Sequence, residues 1–367
     1  MSEKLYDRIL GCMVGSAIGD SFGQVVEFAP AERVKRTAGS DWVGEFLPFP
    51  SDYGTHPLGV WEKGPPRGTG TDDTRWNHVF VECVIRNGGA IDSQLLAIEY
   101  LERYRDRATF YPRHVDLAEQ WLRQAHERAC AYLGMKELPS GQPPWVVATQ
   151  GNALPTLSGL ISLSFAGLLY VGEPEKAYEK AFELAYRDLG YARDSTAMMA
   201  AMVSAALGGK VSGREMVEIG LNTNPFAFGR RVAEQEIKRL VELANTAESD
   251  QALVNAIAAK VRHRHGFDPI DVLGQPAAAV SFCDGDPVRS IVMAANDRDV
   301  DDDGNLVKMR DVDCTAGVAG TLVGALRGVG AFPSDWVADA LEANKKIYGI
   351  DIEANARRFY EAVYGKS

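Results

Sequence analysis

Glycines recur at 11, 15, 19 and 23 near the start of the chain and at 317, 320, 324 and 328 near its end. Spacings of three and four residues set each group along one face of a helix. A helix face without Cβ atoms is a groove into which another backbone can settle closely. Such ridges also pair helices inside membranes, but charged residues flank both stretches here, and tight packing in a soluble core is expected. If the two ridges pack against each other, the two ends of the chain meet. The 367 residues would allow two or three domains, yet that meeting favours a single domain over 1–367.

The pattern is helical almost throughout. Leu5 to Gly23 is the first expected helix. Others are expected at about 75–88, 92–106, 115–134, 157–171, 175–187, 194–208, 213–221, 226–247, 249–264, 275–284, 288–296, 315–327, 334–347 and 352–364. Segments rich in β-branched residues are few, so no sheet is expected. Phe46 to Gly70 reads as a long functional or mobile loop. Glu137 to Pro155 reads as irregular, and Asp297 to Lys308 as an exposed acidic insertion.

The net charge is −11, with 46% hydrophobic and 24% charged residues, an ordinary globular balance. No long Lys/Arg block is present, which argues against binding to nucleic-acid backbones. A small anionic ligand stays open, because cations and helix N-termini can neutralise it locally. Five cysteines, at 12, 83, 130, 283 and 314, show no CxxC or zinc spacing, so a reduced cytoplasmic protein is expected. The start lacks a basic-then-apolar signal pattern. The uncharged stretch from Val146 to Gly172 is broken by Gln150, Asn152, Pro155 and serines. That leaves it short of the roughly 20 apolar residues a membrane span needs, and a buried helix is expected there instead.

Two short segments carry the chemistry. Gly70-Thr71-Asp72-Asp73-Thr74 stands ahead of one expected helix, and Asp311-Val312-Asp313-Cys314-Thr315 leads into the second glycine ridge. Carboxylates beside hydroxyls, with no nearby His pair, suit Mg²⁺, Mn²⁺ or Ca²⁺ rather than zinc or copper. Helix capping would explain either segment alone, since Asp and Thr accept hydrogen bonds from free amides. Capping and metal binding are compatible when carboxylates stand in series. Brought together, four carboxylates can flank two cations, which suggests a metal-dependent hydrolase. The six histidines show no ligand spacing, and P-loop or Rossmann glycine patterns are absent.

The opening stretch Asp7 to Phe28 reads DRILGCMVGSAIGDSFGQVVEF. With the Thr71-Asp72-Asp73-Thr74 segment and the late Asp311-Val312-Asp313-Cys314 segment, it resembles the ADP-ribosylglycohydrolase family. The likeness is to the dinitrogenase-reductase-activating glycohydrolase and ADP-ribosyl-acceptor hydrolase type. Each motif alone is weak, but the three occur in order across nearly the whole chain. The resemblance implies an all-α, single-domain orthogonal helix bundle with long loops lining a metal-bearing cleft. It implies two Mg²⁺ ions, with Mn²⁺ possible and Ca²⁺ less suited, at the base of an ADP-ribose cleft. Thr71, Asp72 and Asp73 would hold them from one side, Asp311 and Asp313 from the other. Glu27 stands where the family carries a carboxylate beside the scissile bond, so Glu27, Asp73 and Asp313 are the expected catalytic residues.

The chain departs from the family pattern in three places. Cys314 stands where a Thr ligand is usual; a thiol suits Mg²⁺ poorly, and Thr315 is the alternative ligand. The 297–308 insertion carries an RDVD at 298–301 that echoes the RDVD at 310–313, and the CTAGVAG continuation selects the later copy. The insertion also begins like a calcium loop, but Arg310 stands where an EF-hand needs a bidentate Glu. Finally, Arg193-Asp194 replaces a His common in relatives. Arg193, with Gly151 and Asn152 of a Gln150-Gly151-Asn152-Ala153 turn, is the expected substrate contact. The expected function is hydrolysis of the bond between ADP-ribose and an acceptor, a protein side chain or a small molecule, with Glu27 or a metal-binding Asp as base. Hydrolysis of another N- or O-riboside and a catalytically silent binding relative are the alternatives.

Overall fold

The first and last glycine ridges lie on helices Glu3–Gln24 and Val312–Arg327, and the two helices pack backbone against backbone. A Cβ on Gly15 would stand 2.3 Å from the Gly320 carbonyl oxygen, and one on Gly19 1.9 Å from that of Ala316. At the two extremes Gly11 meets Gly328 and Gly23 meets Val312, so the helices run antiparallel. Ile9 to Gln24 and Val312 to Leu326 are buried without a break. Helices apolar all round belong in the middle of a core, and here they form its axis.

The computed structural model describes residues 3–136, 138–148 and 155–365. Around the central pair, helices Asp72–Arg86, Ser93–Arg105, Val115–Tyr132, Tyr191–Leu207, Pro269–Phe282, Ser334–Tyr348 and Ile352–Tyr364 are the long elements. One apolar cluster runs through them from Ile9 to Tyr360. The fold is all-α and single-domain, as the resemblance implies. Among the described residues no helix is long and apolar enough to cross a membrane.

Several boundaries differ from expectation for local reasons. The stretch expected as one helix at 157–171 is an α turn, Ser158–Ser162, followed by a 3₁₀ turn, Ser164–Leu169. Ser162 donates to the Ser158 carbonyl at 2.5 Å and Ser164 to that of Leu160, serine back-bonding that bends a helix. The helix expected from 275 begins at Pro269, behind an Asp268 side chain that caps the Ile270 amide, and it accommodates Pro276 in its interior. Ala31–Ala38 is a short helix that the sequence did not suggest.

The 297–308 segment corrects two expectations, because it is neither loop nor wholly exposed. Arg298–Val300 and Leu306–Met309 form an antiparallel hairpin, the one sheet among the described residues. Asp297, Arg298, Leu306 and Met309 are buried, while the turn at 301–305 and the outward-facing Val307 and Lys308 are exposed. Asp301 accepts from the Asp303 and Asn305 amides and so shapes that turn. The second strand clasps the chain after the first ridge helix: Phe28 N–H donates to Arg310 O at 3.1 Å and Met309 N–H to Ala29 O at 2.9 Å.

The long loop before Asp72 is pinned rather than loose. Asn344 receives the Gly70 amide at 3.1 Å and donates to Gly68 O at 2.9 Å, and the Tyr348 hydroxyl donates to Gly70 O at 2.7 Å.

Candidate metal centre and cleft

Antiparallel packing of the ridges sets the C-terminal end of the first helix beside the N-terminal end of the last. Asp20 and Glu27 thereby stand next to Asp311, Asp313 and Cys314. Asp20 then recruits the third segment. Its carboxylate accepts from the Thr71 amide at 2.8 Å, the Thr74 amide at 3.1 Å and the Thr74 hydroxyl at 2.5 Å. Thr71 caps its helix through the Asp73 amide at 3.2 Å while its hydroxyl lies 3.4 Å from Asp313 Oδ2. Capping and proximity to the acid cluster therefore coexist in one residue.

The result is a floor of carboxylates from both ends of the chain. Ligand atoms of Asp73, Asp313 and Cys314 all lie within 4.8 Å of one another, as do those of Glu27, Asp311 and Asp313. Asp72 sits at the edge, bonded to the Trp76 indole N–H at 3.0 Å. Burial raises the Asp72 carboxyl to about 7, against the lowering field of Arg75. Burial also raises Glu27 to about 7, opposed by the hydrogen bond from Gln24. Asp73, Asp311 and Asp313 are pushed well above the carboxylate range, first by burial and then by neighbouring carboxylates: Asp313 acts on Asp73 and Asp311, while Glu27 and Asp20 act on Asp313. Two helix N-termini, those of Asp72–Arg86 and Val312–Arg327, face this charge and offset part of it.

Divalent cations fit this donor set. Five clustered carboxylates and a threonine hydroxyl are hard oxygen ligands, and buried like charges need a cation or protons to be tolerated. The Cys314 thiol, pushed up by burial, adds one soft atom. The alternative ligand, Thr315, is placed elsewhere: its hydroxyl donates to Ala294 O at 2.9 Å and is turned into the helix packing. Of the twin RDVD motifs the later one supplies the floor. Asp299 of the earlier copy instead pairs with the buried Arg310 at 2.6 Å.

Above the floor opens a cleft of about 840 Å³. Tyr53, His56 and Leu58 of the long loop form one wall. Arg123 and Arg128 of the Val115–Tyr132 helix, with Ser158 and Arg187, form another. Arg187 lies 5.0 Å from the Trp76 ring, so the indole that holds Asp72 also carries a guanidinium. Arg128 is 5% exposed, and its guanidinium donates to the Arg187 carbonyl at 3.4 Å. Burial, then Arg187, lowers its guanidinium to about 10.

The expected substrate contacts fare differently. Arg193 does not line the cleft: its guanidinium donates to Phe182 O at 2.7 Å and lies 4.6 Å from the Phe182 ring. Gly151 and Asn152 lie outside the described residues. Sequence reasoning missed Arg128, Arg187 and Tyr53, which carry no motif. It also passed over Asp20, although the Gly19-Asp20 pair lies inside the quoted opening pattern.

The family model described as ADP-ribosylglycohydrolase matches residues 1–367. The chain belongs to the ADP-ribosylglycohydrolase family. Membership supports a hydrolase of the ADP-ribosylglycohydrolase type. A solved structure titled ADP-ribosylglycohydrolase-related protein complex superposes with a TM-score of 0.60 at 20% identity, covering 98% of this chain and 99% of that one. At that identity the likeness speaks for the fold. The uncharacterized protein YegU of Escherichia coli (strain K12) is 31% identical over 96 residues, 26% of each chain, so the match spans about a quarter of that relative.

Proposed function

We propose that the protein is a divalent-metal-dependent glycosidic hydrolase that separates an ADP-ribosyl group from its acceptor by addition of water. The observation that carries the reading is the carboxylate floor, contributed by residues from both ends of the chain, at the base of a cleft with arginines in its wall. Magnesium ions, or manganese, held by Thr71, Asp72, Asp73, Asp311, Asp313 and Cys314 would neutralise the floor and polarise bound hydroxyls.

This chain's residues then have separable tasks. Arg128 and Arg187 present positive charge to a diphosphate, with planar forks suited to it. Glu27, at the cleft side of the floor, is placed to accept a proton from the incoming water. As the C1 bond to the acceptor breaks, positive charge grows on the sugar, and Asp73 and Asp313 stabilise it. The test is incubation of the protein and Mg²⁺ with a panel of ADP-ribosyl conjugates, reading free ADP-ribose. Release that stops in Asp73→Ala supports the reading; no release from any conjugate overturns it.

A further inference from the structure

Among the described residues, few large apolar side chains are exposed, and three of them stand on one cleft. Phe28, Leu58 and Phe267 are 46%, 52% and 39% exposed, and all line the space above the acidic floor. Each is held in place by the segments that carry the acids. Phe28 donates its amide to Arg310 O, one residue before Asp311, and Leu58 O accepts the Asp72 amide at 3.3 Å. The Arg310 guanidinium donates to the carbonyls of Arg264 and His265, which fixes the turn carrying Phe267. The Phe28 ring lies against the residue before Phe267, since a Cβ on Gly266 would meet that ring at 3.2 Å.

Phe28 is also strained, with φ at 49° in the left-handed region that bulky residues avoid. Backbone strain of this kind persists where the surroundings over-determine it, commonly at ligand sites. Here it turns a phenyl ring outward immediately after Glu27.

We propose that Phe28, Leu58 and Phe267 form an apolar lip that grips the leaving group, and that this group is a flat, uncharged aromatic ring joined through nitrogen to the ribose. The inference rests on the hydrolase reading above and narrows its substrate to N-ribosides of aromatic bases. Phenyl rings gain most from an offset or edge contact with another ring. A guanidinium also stacks on phenyl rings, but its five N–H donors would meet no hydrogen-bond acceptor on the three lip side chains. In the cleavage the water oxygen bonds to C1 and the C1–N bond breaks. Its electron pair stays on the ring nitrogen: a purine nitrogen takes up the proton that the water gives up, whereas a nicotinamide ring, cationic while bound, leaves neutral and that proton passes to solvent.

The test uses the full chain with Mg²⁺ and three probes, nicotinamide, adenine and methylguanidine, followed by saturation-transfer NMR. Saturable binding of a free base is expected, with methylguanidine weaker. Phe28→Ala and Phe267→Ala should each weaken base binding at least fivefold, and Phe267→Tyr, which keeps the ring, should retain it. The proposal is overturned by no saturable base binding in the wild type, by methylguanidine binding as well as the bases, by Ala variants that bind normally, or by a Tyr variant as weak as the Ala one. Free bases are bound without turnover, so base binding at the lip with no ADP-ribose release would remove the hydrolase reading alone.

Discussion

Asp20 contacts no face of the cleft, yet the position of Thr71 depends on it. Buried and bonded to two amides and a hydroxyl, its carboxylate ties the Thr71–Thr74 turn to the first ridge helix. Residues that orient ligands from behind typically cost about 10–100-fold in metal affinity when lost. Asp20→Ala should therefore weaken Mn²⁺ binding by about that factor in calorimetric titration, with Asp20→Asn recovering part of it. Cys314 makes the opposite kind of prediction. Its sulfur is the one soft atom in an oxygen-rich cluster, so Cys314→Thr should tighten Mg²⁺ more than Mn²⁺. Equal tightening of the two ions would argue that the thiol does not face them.

At the scale of elements, the ridge pair carries the argument. A methyl added at Gly19 would collide with the Ala316 carbonyl at 1.9 Å, where neither backbone has room to move. Overpacking typically costs about 1–3 kcal/mol, and Gly19→Ala should lie at or above that range in denaturant melts. Gly330→Ala, with nothing within 4 Å of the added carbon, should stay within about 0.5 kcal/mol of wild type. Glycine spacing made this pairing legible in the sequence, because a repeated missing Cβ has few other uses. The hairpin at 298–309 was not legible. Its strands are three and four residues long, too short for alternation to register, and its burial comes from an Arg310 network joining distant residues. Arg193 was misplaced for a related reason: a motif gives a residue's neighbours in sequence, whereas the Phe182 carbonyl that captures it belongs to the preceding helix.

At the scale of the whole molecule, closing the chain's ends gathers negative charge. The acidic segments were readable because they stand in order around recognisable helices. The cationic wall was not, since Arg128 lies on a helix and Arg187 in a turn between two others, with no shared pattern. The gathered charge has a pH signature. Glu27 and Asp72 are raised to about 7 in the fold from ordinary carboxylate values when unfolded. A raised folded pKa means the native state holds protons that the unfolded chain has released. The metal-free protein should therefore lose stability as pH rises from about 4 through about 7, read as a falling midpoint in thermal melts. Divalent ions compete for the same sites, so the stabilisation they confer should grow over that interval. A stabilisation independent of pH would place the ions elsewhere.

The most direct measurement is a double-mutant cycle on Mn²⁺ affinity with Asp73→Ala and Asp313→Ala, one change from each end of the chain. Residues that ligate shared ions couple, whereas distant independent sites add within about 0.5 kcal/mol. Each single variant is expected to lose tight binding, with the double variant little worse than either. Losses that simply add, or a single variant that binds like wild type, would contradict the shared site.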